Sequence, residues 1–364
     1  MVAPGLRRGP RPLLLHLMSP SSRAGSPNLS VALPGGSHPD PALIHAIAAY
    51  RRHPWQRDLA DPPALWTEGG SRLLDYGGDG PVALVVPSLV NKAHVLDLMP
   101  GRSMLRWLAL HGVRPLLLDW GWPGDAEHGF TLTDYCARLE RALATLPGRV
   151  ALVGYCMGGL LALPVALRRP ERVAALALLA TPWDFHAERG AEARRLGALL
   201  PMLEPMMLAG SMPVDALQTL FVLGAPGEVA ERYCAFAKLD PASEAALGFV
   251  ALEDWLNDGV PLVAPVAREV LDGWYGRNTP ARGQWRVAGW PVEPASLAAP
   301  AFLAIPSRDR IVPAPSALAL HAALPGATVH RPAAGHIGMV AGRRAETALW
   351  QNLLDWLRGP AGLM

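Results

Sequence analysis

Apolar and polar positions along this chain follow two alternating rhythms. Largely apolar runs lie at residues 81–86, 113–118, 149–153 and 173–180, and segments with helical spacing lie between them at 96–110, 132–145 and 157–168. A short run with no polar alternation predicts a strand covered on both faces. Such strands alternating with helices predict a parallel sheet between helical layers. The alternation stops at residue 181 and resumes with an apolar run at 301–306, a helix at 314–323, a strand at 327–331 and a closing helix at 343–357. Helical periodicity also begins near residues 41–50, ahead of a Pro-rich connection.

This layout predicts one α/β core built from residues 41–180 and 291–358, with residues 181–290 inserted between its halves. The insert is rich in Met, Trp, Pro and Gly. It is expected to form a cap over the carboxyl edge of the sheet, where open α/β folds bind ligands. Residues 1–40 are rich in Pro, Gly and Ser and read as a disordered tail. Arg7 and Arg8 followed by an apolar run superficially resemble a secretory signal. That run is short, is broken by His16 and has no small-residue cleavage site behind it, which leaves Met18 as an alternative start.

Composition narrows the function classes. A chain of 364 residues that is 51% hydrophobic and 18% charged is globular and long enough for a large core. A net charge of +2 without a basic run gives no case for nucleic acid. No apolar stretch reaches membrane-spanning length. Cys136, Cys156 and Cys234 lack metal-ligand spacing and read as free thiols in a reducing cytoplasm, so no metal and no cofactor is predicted.

The candidate chemistry lies in Gly154-Tyr155-Cys156-Met157-Gly158-Gly159, directly after the 149–153 run. A strand entering a sharp turn of small residues and then a helix is the nucleophile elbow of α/β-hydrolases, here with sulfur at the presented position. In that fold the nucleophile is followed along the chain by an acid and then a histidine. Asp309, just past the 301–306 strand, and His336, in a Gly-flanked loop after the last strand, supply that order. Plain alternatives exist: Asp309 as a turn former, Cys156 as a small core residue, and His94, His111 or His128 as the base. Cys136 and Cys234 read as packing residues. An oxyanion hole needs two backbone N–H groups. Met157 is expected to supply one, and Leu89 or Val90, in the loop after the 81–86 strand, the other. Sulfur suits thioester exchange, because passing an acyl group from one sulfur to another dissipates little transfer potential.

These segments resemble the polyhydroxyalkanoate synthases over roughly residues 80 to 350. The resemblance rests on Val86-Pro87-Ser88-Leu89-Val90-Asn91, on Leu118-Asp119-Trp120-Gly121-Trp122-Pro123-Gly124, on the cysteine elbow, on Asp309-Arg310-Ile311-Val312-Pro313 and on Gly335-His336-Ile337-Gly338-Met339. The second of these is most similar to the class III catalytic subunits. The resemblance implies an α/β-hydrolase fold and polymerisation of (R)-3-hydroxyacyl-CoA with release of CoA. It implies that Cys156 carries the acyl chain and His336 deprotonates it. Asp309 would activate the incoming 3-hydroxyl, orient His336, or do both. The implied partners are the acyl-CoA, the growing polyester and a second synthase subunit or a second copy of the chain; the implied location is the cytoplasm and the granule surface. The 181–290 segment matches only loosely, around Glu253-Asp254-Trp255 and Trp274-Tyr275. Trp255 is a candidate for lining the acyl channel, or a core residue. A thioesterase or esterase using the same three residues, and an inactive granule-associated protein, are the competing readings.

Overall fold

The apolar runs become neighbours in a single eight-stranded sheet. The computed structural model describes residues 6–18, 40–224, 228–359 and 361. The sheet strands are β1 (Ala64–Glu68), β2 (Ser71–Asp75), β3 (Val82–Val86), β4 (Arg114–Asp119), β5 (Val150–Tyr155), β6 (Val173–Leu179), β7 (Ala301–Ala304) and β8 (Thr328–His330). Their spatial order is β1-β2-β4-β3-β5-β6-β7-β8. From β4 to β8 every pairing is parallel, while β1–β2 and β2–β4 are antiparallel. The chain passes from β3 outward to β4 and then returns to place β5 on the other side of β3. A ligand crevice is expected at that reversal, beyond the carboxyl ends of β3 and β5.

Every residue of β5 is buried, as a central strand with both faces covered requires. Leu84, Leu116, Leu117, Leu152 and Leu176 are each 1% exposed or less. Each such side chain contributes about 1.5–3 kcal/mol relative to exposure.

Two local elements differ from the sequence expectation. The helix foreseen at 96–110 begins only at Met104 and runs to Leu110. Ahead of it lies a small hairpin, Asp97–Met99 against Arg102–Ser103, that turns through Gly101 at a φ of 75°. The Ser103 hydroxyl accepts the Arg106 N–H at 3.1 Å and so sets the helix start. The antiparallel β1–β2 pair falls in what reads as a Pro-rich connection, although Gly69-Gly70 between its strands is a hairpin signal.

By contact the chain divides into two compact units, Met1–Asp58 with Pro213–Gly259, and Leu59–Met212 with Val260–Met364. The expected 181–290 insert is therefore split. Its flanks belong to the sheet unit, and its middle joins the N-terminal residues in a helical unit. The helical unit is built from Leu13–Met18, Pro41–Arg52, Val214–Gly224, Glu228–Phe236 and Glu244–Asn257. Its core gathers Leu43, Ile47, Tyr50, Tyr233, Phe236 and Val250, and the Phe249 ring stacks on Phe236 at 4.4 Å.

Residues 6–18 are held in place, unlike the disordered tail expected for this stretch. Arg7 Nε donates to Asp254 Oδ1 at 2.8 Å, and its guanidinium also reaches the carbonyls of His53 and Trp55. Arg11 Nε donates to Asp215 Oδ1 at 2.7 Å. The Pro/Gly/Ser-rich composition of residues 1–40 hid these contacts, because the carboxylates that fix the segment lie more than two hundred residues away. The remainder of the expected tail lies outside the described residues.

Candidate active site

Three chain crossings at the carboxyl edge of the sheet bring the expected residues together. Cys156 follows β5 with φ 54° and ψ −125° and caps the helix Met157–Arg168. A side-chain-bearing residue in that region is strained by roughly 1–3 kcal/mol. It is held there by its N–H, which donates to the Leu179 carbonyl of β6 at 2.8 Å. Gly158 sits directly against the backbone carbonyls of Val86 and Pro87, where any Cβ would overlap them. The first turn of the helix thus packs on the strand and loop that lead to Leu89.

That loop is shaped from outside by Trp120, whose indole N–H donates to the Pro87 carbonyl at 3.0 Å. Of the two candidate oxyanion donors in it, Val90 already gives its N–H to Ser88 Oγ at 3.1 Å. The Leu89 N–H has no partner among the described residues, nor has that of Met157 at the start of its helix. The geometry therefore favours Leu89 over Val90.

Asp309 and His336 are brought together by a backbone ladder that continues β7 and β8 beyond the sheet. Ile305 N–H donates to the His330 carbonyl at 2.9 Å, Ser307 N–H to Pro332 at 2.9 Å, and Arg308 N–H to Ala334 at 3.0 Å. His336 Nδ1 then meets Asp309 Oδ2 at 2.7 Å. The other carboxylate oxygen, Oδ1, accepts the N–H groups of Ile311 and Val312, each at 2.8 Å. The carboxylate is fully enclosed, and the His336 side chain is only 7% exposed. With Nδ1 turned to Asp309, Nε2 is the ring nitrogen left to serve Cys156. Burial alone would push the imidazole down. The negative charge of Cys156, with the hydrogen bonds to Asp309 and to Cys156, more than reverses this and raises it to about 10.

Chemically, the arrangement can act as a sulfur nucleophile, a base that takes its proton and a buried acid that orients the base. His111 stacks on Trp107 at 3.9 Å and His128 faces Asp125 at 3.8 Å, so both are engaged elsewhere. Cys136 is enclosed, and burial pushes its thiol well up. Cys234 is half-buried, packed against the aromatic core of the helical unit. Trp255 is 5% exposed on the Glu244–Asn257 helix of the helical unit.

Three further side chains were not singled out from sequence. Trp120 holds the loop after β3, as above. Tyr155, the last residue of β5, donates its hydroxyl to the His336 carbonyl at 3.3 Å and lays its ring 5.2 Å from the imidazole. Tyr275 belongs to the π-helical turn Glu269–Gly276. Both Trp120 and Tyr275 stood in segments noted for resemblance, and their neighbours in sequence gave no sign of what they face. Among the described residues no group of three or more His, Cys, Asp or Glu is placed to hold a metal, and no helix is long and apolar enough to cross a membrane.

Comparison with known proteins agrees with the fold. A family model described as the alpha/beta hydrolase fold matches residues 103–209. The chain is 28% identical over 311 residues to a poly(3-hydroxyalkanoate) polymerase subunit PhaC of Haloferax mediterranei, covering 80% of this chain and 62% of that protein. It is 27% identical over 298 residues to the subunit of the same name from Synechocystis, covering 75% of this chain and 76% of the relative. A solved hydrolase from Oleispira antarctica superposes with a TM-score of 0.52 at 12% identity, over 79% of this chain and 94% of that one. The chain has the α/β-hydrolase fold and, over three-quarters or more of its length, is similar in sequence to the poly(3-hydroxyalkanoate) polymerases.

Proposed function

We propose that this chain is a cysteine-dependent acyltransferase that polymerises (R)-3-hydroxyacyl groups from coenzyme A thioesters into polyester. The observation that carries the reading is a sulfur at a strained elbow, with a histidine that a buried carboxylate orients at 2.7 Å. Relatives named as polymerases support the choice of substrate.

His336 takes the Cys156 proton, and the sulfur attacks the thioester carbonyl. A new S–C bond forms, and the C–S bond to coenzyme A breaks. The departing thiolate takes the proton back from His336. His336 next accepts the proton of the 3-hydroxyl of an incoming acyl-CoA, whose oxygen attacks the acyl carbonyl on Cys156; the bond to Cys156 breaks, the freed sulfur takes the proton from His336, and the chain, one ester longer, is left as a coenzyme A thioester that reloads Cys156 by the first step. Asp309 holds the imidazole tautomer throughout, and the N–H groups of Met157 and Leu89 receive the carbonyl oxygen as it gains charge. No resident metal or cofactor takes part. The reading places the protein in the cytoplasm at the granule surface, working with a second synthase subunit or a second copy of itself.

The test is incubation with 3-hydroxybutyryl-CoA, with and without a candidate second subunit, following free thiol and polymer. Thiol release together with polymer is expected. Thiol release that yields only free hydroxy acid would replace the polymerase reading with a thioesterase, and no thiol release in either arm would favour an inactive protein.

A further inference from the structure

His336 lies between two stretches of fixed backbone and belongs to neither. The ladder beside β7 ends at Ala334, whose carbonyl accepts the Arg308 N–H at 3.0 Å. The short helix Gly338–Ala341 follows, and the Met339 N–H reaches back past His336 to the Gly335 carbonyl at 3.1 Å. Among the described residues one hydrogen bond reaches the main chain of His336 itself. Tyr155 supplies it, its buried hydroxyl donating to the His336 carbonyl at 3.3 Å.

The donor is itself fixed by the sheet. Tyr155 closes β5, pairs in register with Leu179 of β6 and is 3% exposed. Its ring lies 5.2 Å from the imidazole, tilted by 40°, and limits the swing of the imidazole on that side. Burial, with the charges of Cys156 and Asp309, holds the phenol well above its ordinary range, so it stays a donor. Tyr155 and Cys156 are consecutive, their Cα atoms about 3.8 Å apart across one planar peptide. A group tied to Tyr155 is therefore tied to the bend that presents the sulfur.

We infer that Tyr155 is a positioning residue for the base: through its hydroxyl and its ring it fixes His336 relative to the elbow that carries Cys156. The role rests on the reading above, in which His336 takes the Cys156 proton. Asp309 orients the imidazole from the ladder, and Tyr155 adds a contact from the nucleophile's own strand. Without the hydroxyl, the His336 carbonyl becomes a buried acceptor with no partner, and the turn must shift to find another donor. Proton transfer is sensitive to such a shift, because base and sulfur must stay within hydrogen-bond reach.

The test is a double-mutant cycle read on alkylation by iodoacetamide at neutral pH, in which the sulfur gives up its proton, bonds to the methylene carbon and displaces iodide. Wild type, Tyr155→Phe, His336→Gln and the double variant are compared by mass on the peptide that carries Cys156, since Cys234 is also half-buried. Tyr155→Phe keeps the ring and is expected to slow alkylation about three- to tenfold, the range of one hydrogen bond. His336→Gln should slow it further, and adding Tyr155→Phe to that variant should cost nothing more. A Tyr155→Phe rate equal to wild type would overturn the inference. So would the same fold loss recurring beside His336→Gln, because Tyr155 would then act on the elbow or the fold and not through the base. A second reading uses Tyr155→Phe alone: the His336 ring proton facing Asp309, followed by proton NMR, should exchange with water faster than in wild type, and unchanged exchange would count against the role. Iodoacetamide carries no acyl group for transfer, so these outcomes stand whether or not the chain accepts coenzyme A thioesters. Should His336→Gln alone alkylate like wild type, His336 is not the base, and the acyl-transfer reading falls together with this role.

Discussion

His336 Nδ1 and Asp309 Oδ2 stand 2.7 Å apart although 27 residues of chain separate them, and the carboxylate that makes the contact has no exposed surface. The pair is set by backbone, since residues 305–308 run beside 330–334 like a continuation of the sheet. The imidazole reaches the sulfur with its orientation already fixed.

Replacing Asp309 by Asn keeps an oxygen for the Ile311 and Val312 N–H groups but removes the charge that fixes the tautomer. Acyl-enzyme formation, followed as a mass increase on the intact protein, is expected to slow on the order of 10³- to 10⁴-fold. A loss below tenfold would mean that Asp309 is a turn former and not part of the machinery.

The raised pKa of His336 carries a signed dependence on pH. The folded state favours the imidazolium, so this contribution to stability is complete below 6.5 and is lost as pH rises through about 10. The difference in melting temperature between wild type and His336→Gln should shrink steadily across that window. A difference that stays constant from pH 6.5 to 10 would show that no charge pair forms.

Gly158→Ala places a methyl group on the carbonyls of Val86 and Pro87. A cost of about 1–3 kcal/mol is expected, measured as a lower urea midpoint at unchanged slope. Acylation should fall with it, because the first helical turn carries the Met157 N–H. An unshifted midpoint would contradict the close packing described here.

In the helical unit, Arg7→Ala removes a guanidinium that bonds Asp254 and two backbone carbonyls. A loss of about 1–3 kcal/mol in that unit is expected. Hydrogen exchange across residues 41–52 and 244–257 should quicken while exchange in β5 stays slow. Unchanged exchange would mean that the N-terminal segment rests on the unit without stabilising it.

Local signals made the sheet and the elbow readable. Strands β3 to β7 are largely apolar runs bounded by turn residues, Cys156 and Asp309 each follow such a run, and His336 follows the last strand. What stayed hidden depends on distant partners. Nothing near Arg7 points to Asp254, nothing near Val90 shows that Ser88 takes its N–H, and nothing near Tyr275 shows that its ring meets Phe185. The division of the 181–290 insert was equally illegible, because Tyr50 meets Tyr233 and Phe249 only after the chain has passed through most of the sheet.

The backbone at Cys156 sets folding and chemistry against each other. At φ 54° glycine is the residue that would sit there without strain. Cys156→Gly should therefore give a more stable chain that cannot be acylated, so selection for robustness alone would drift toward an inert protein. A sulfur persists at this bend only where turnover is itself under selection, and thermal stability gained at residue 156 would measure how much folding free energy the reaction withholds.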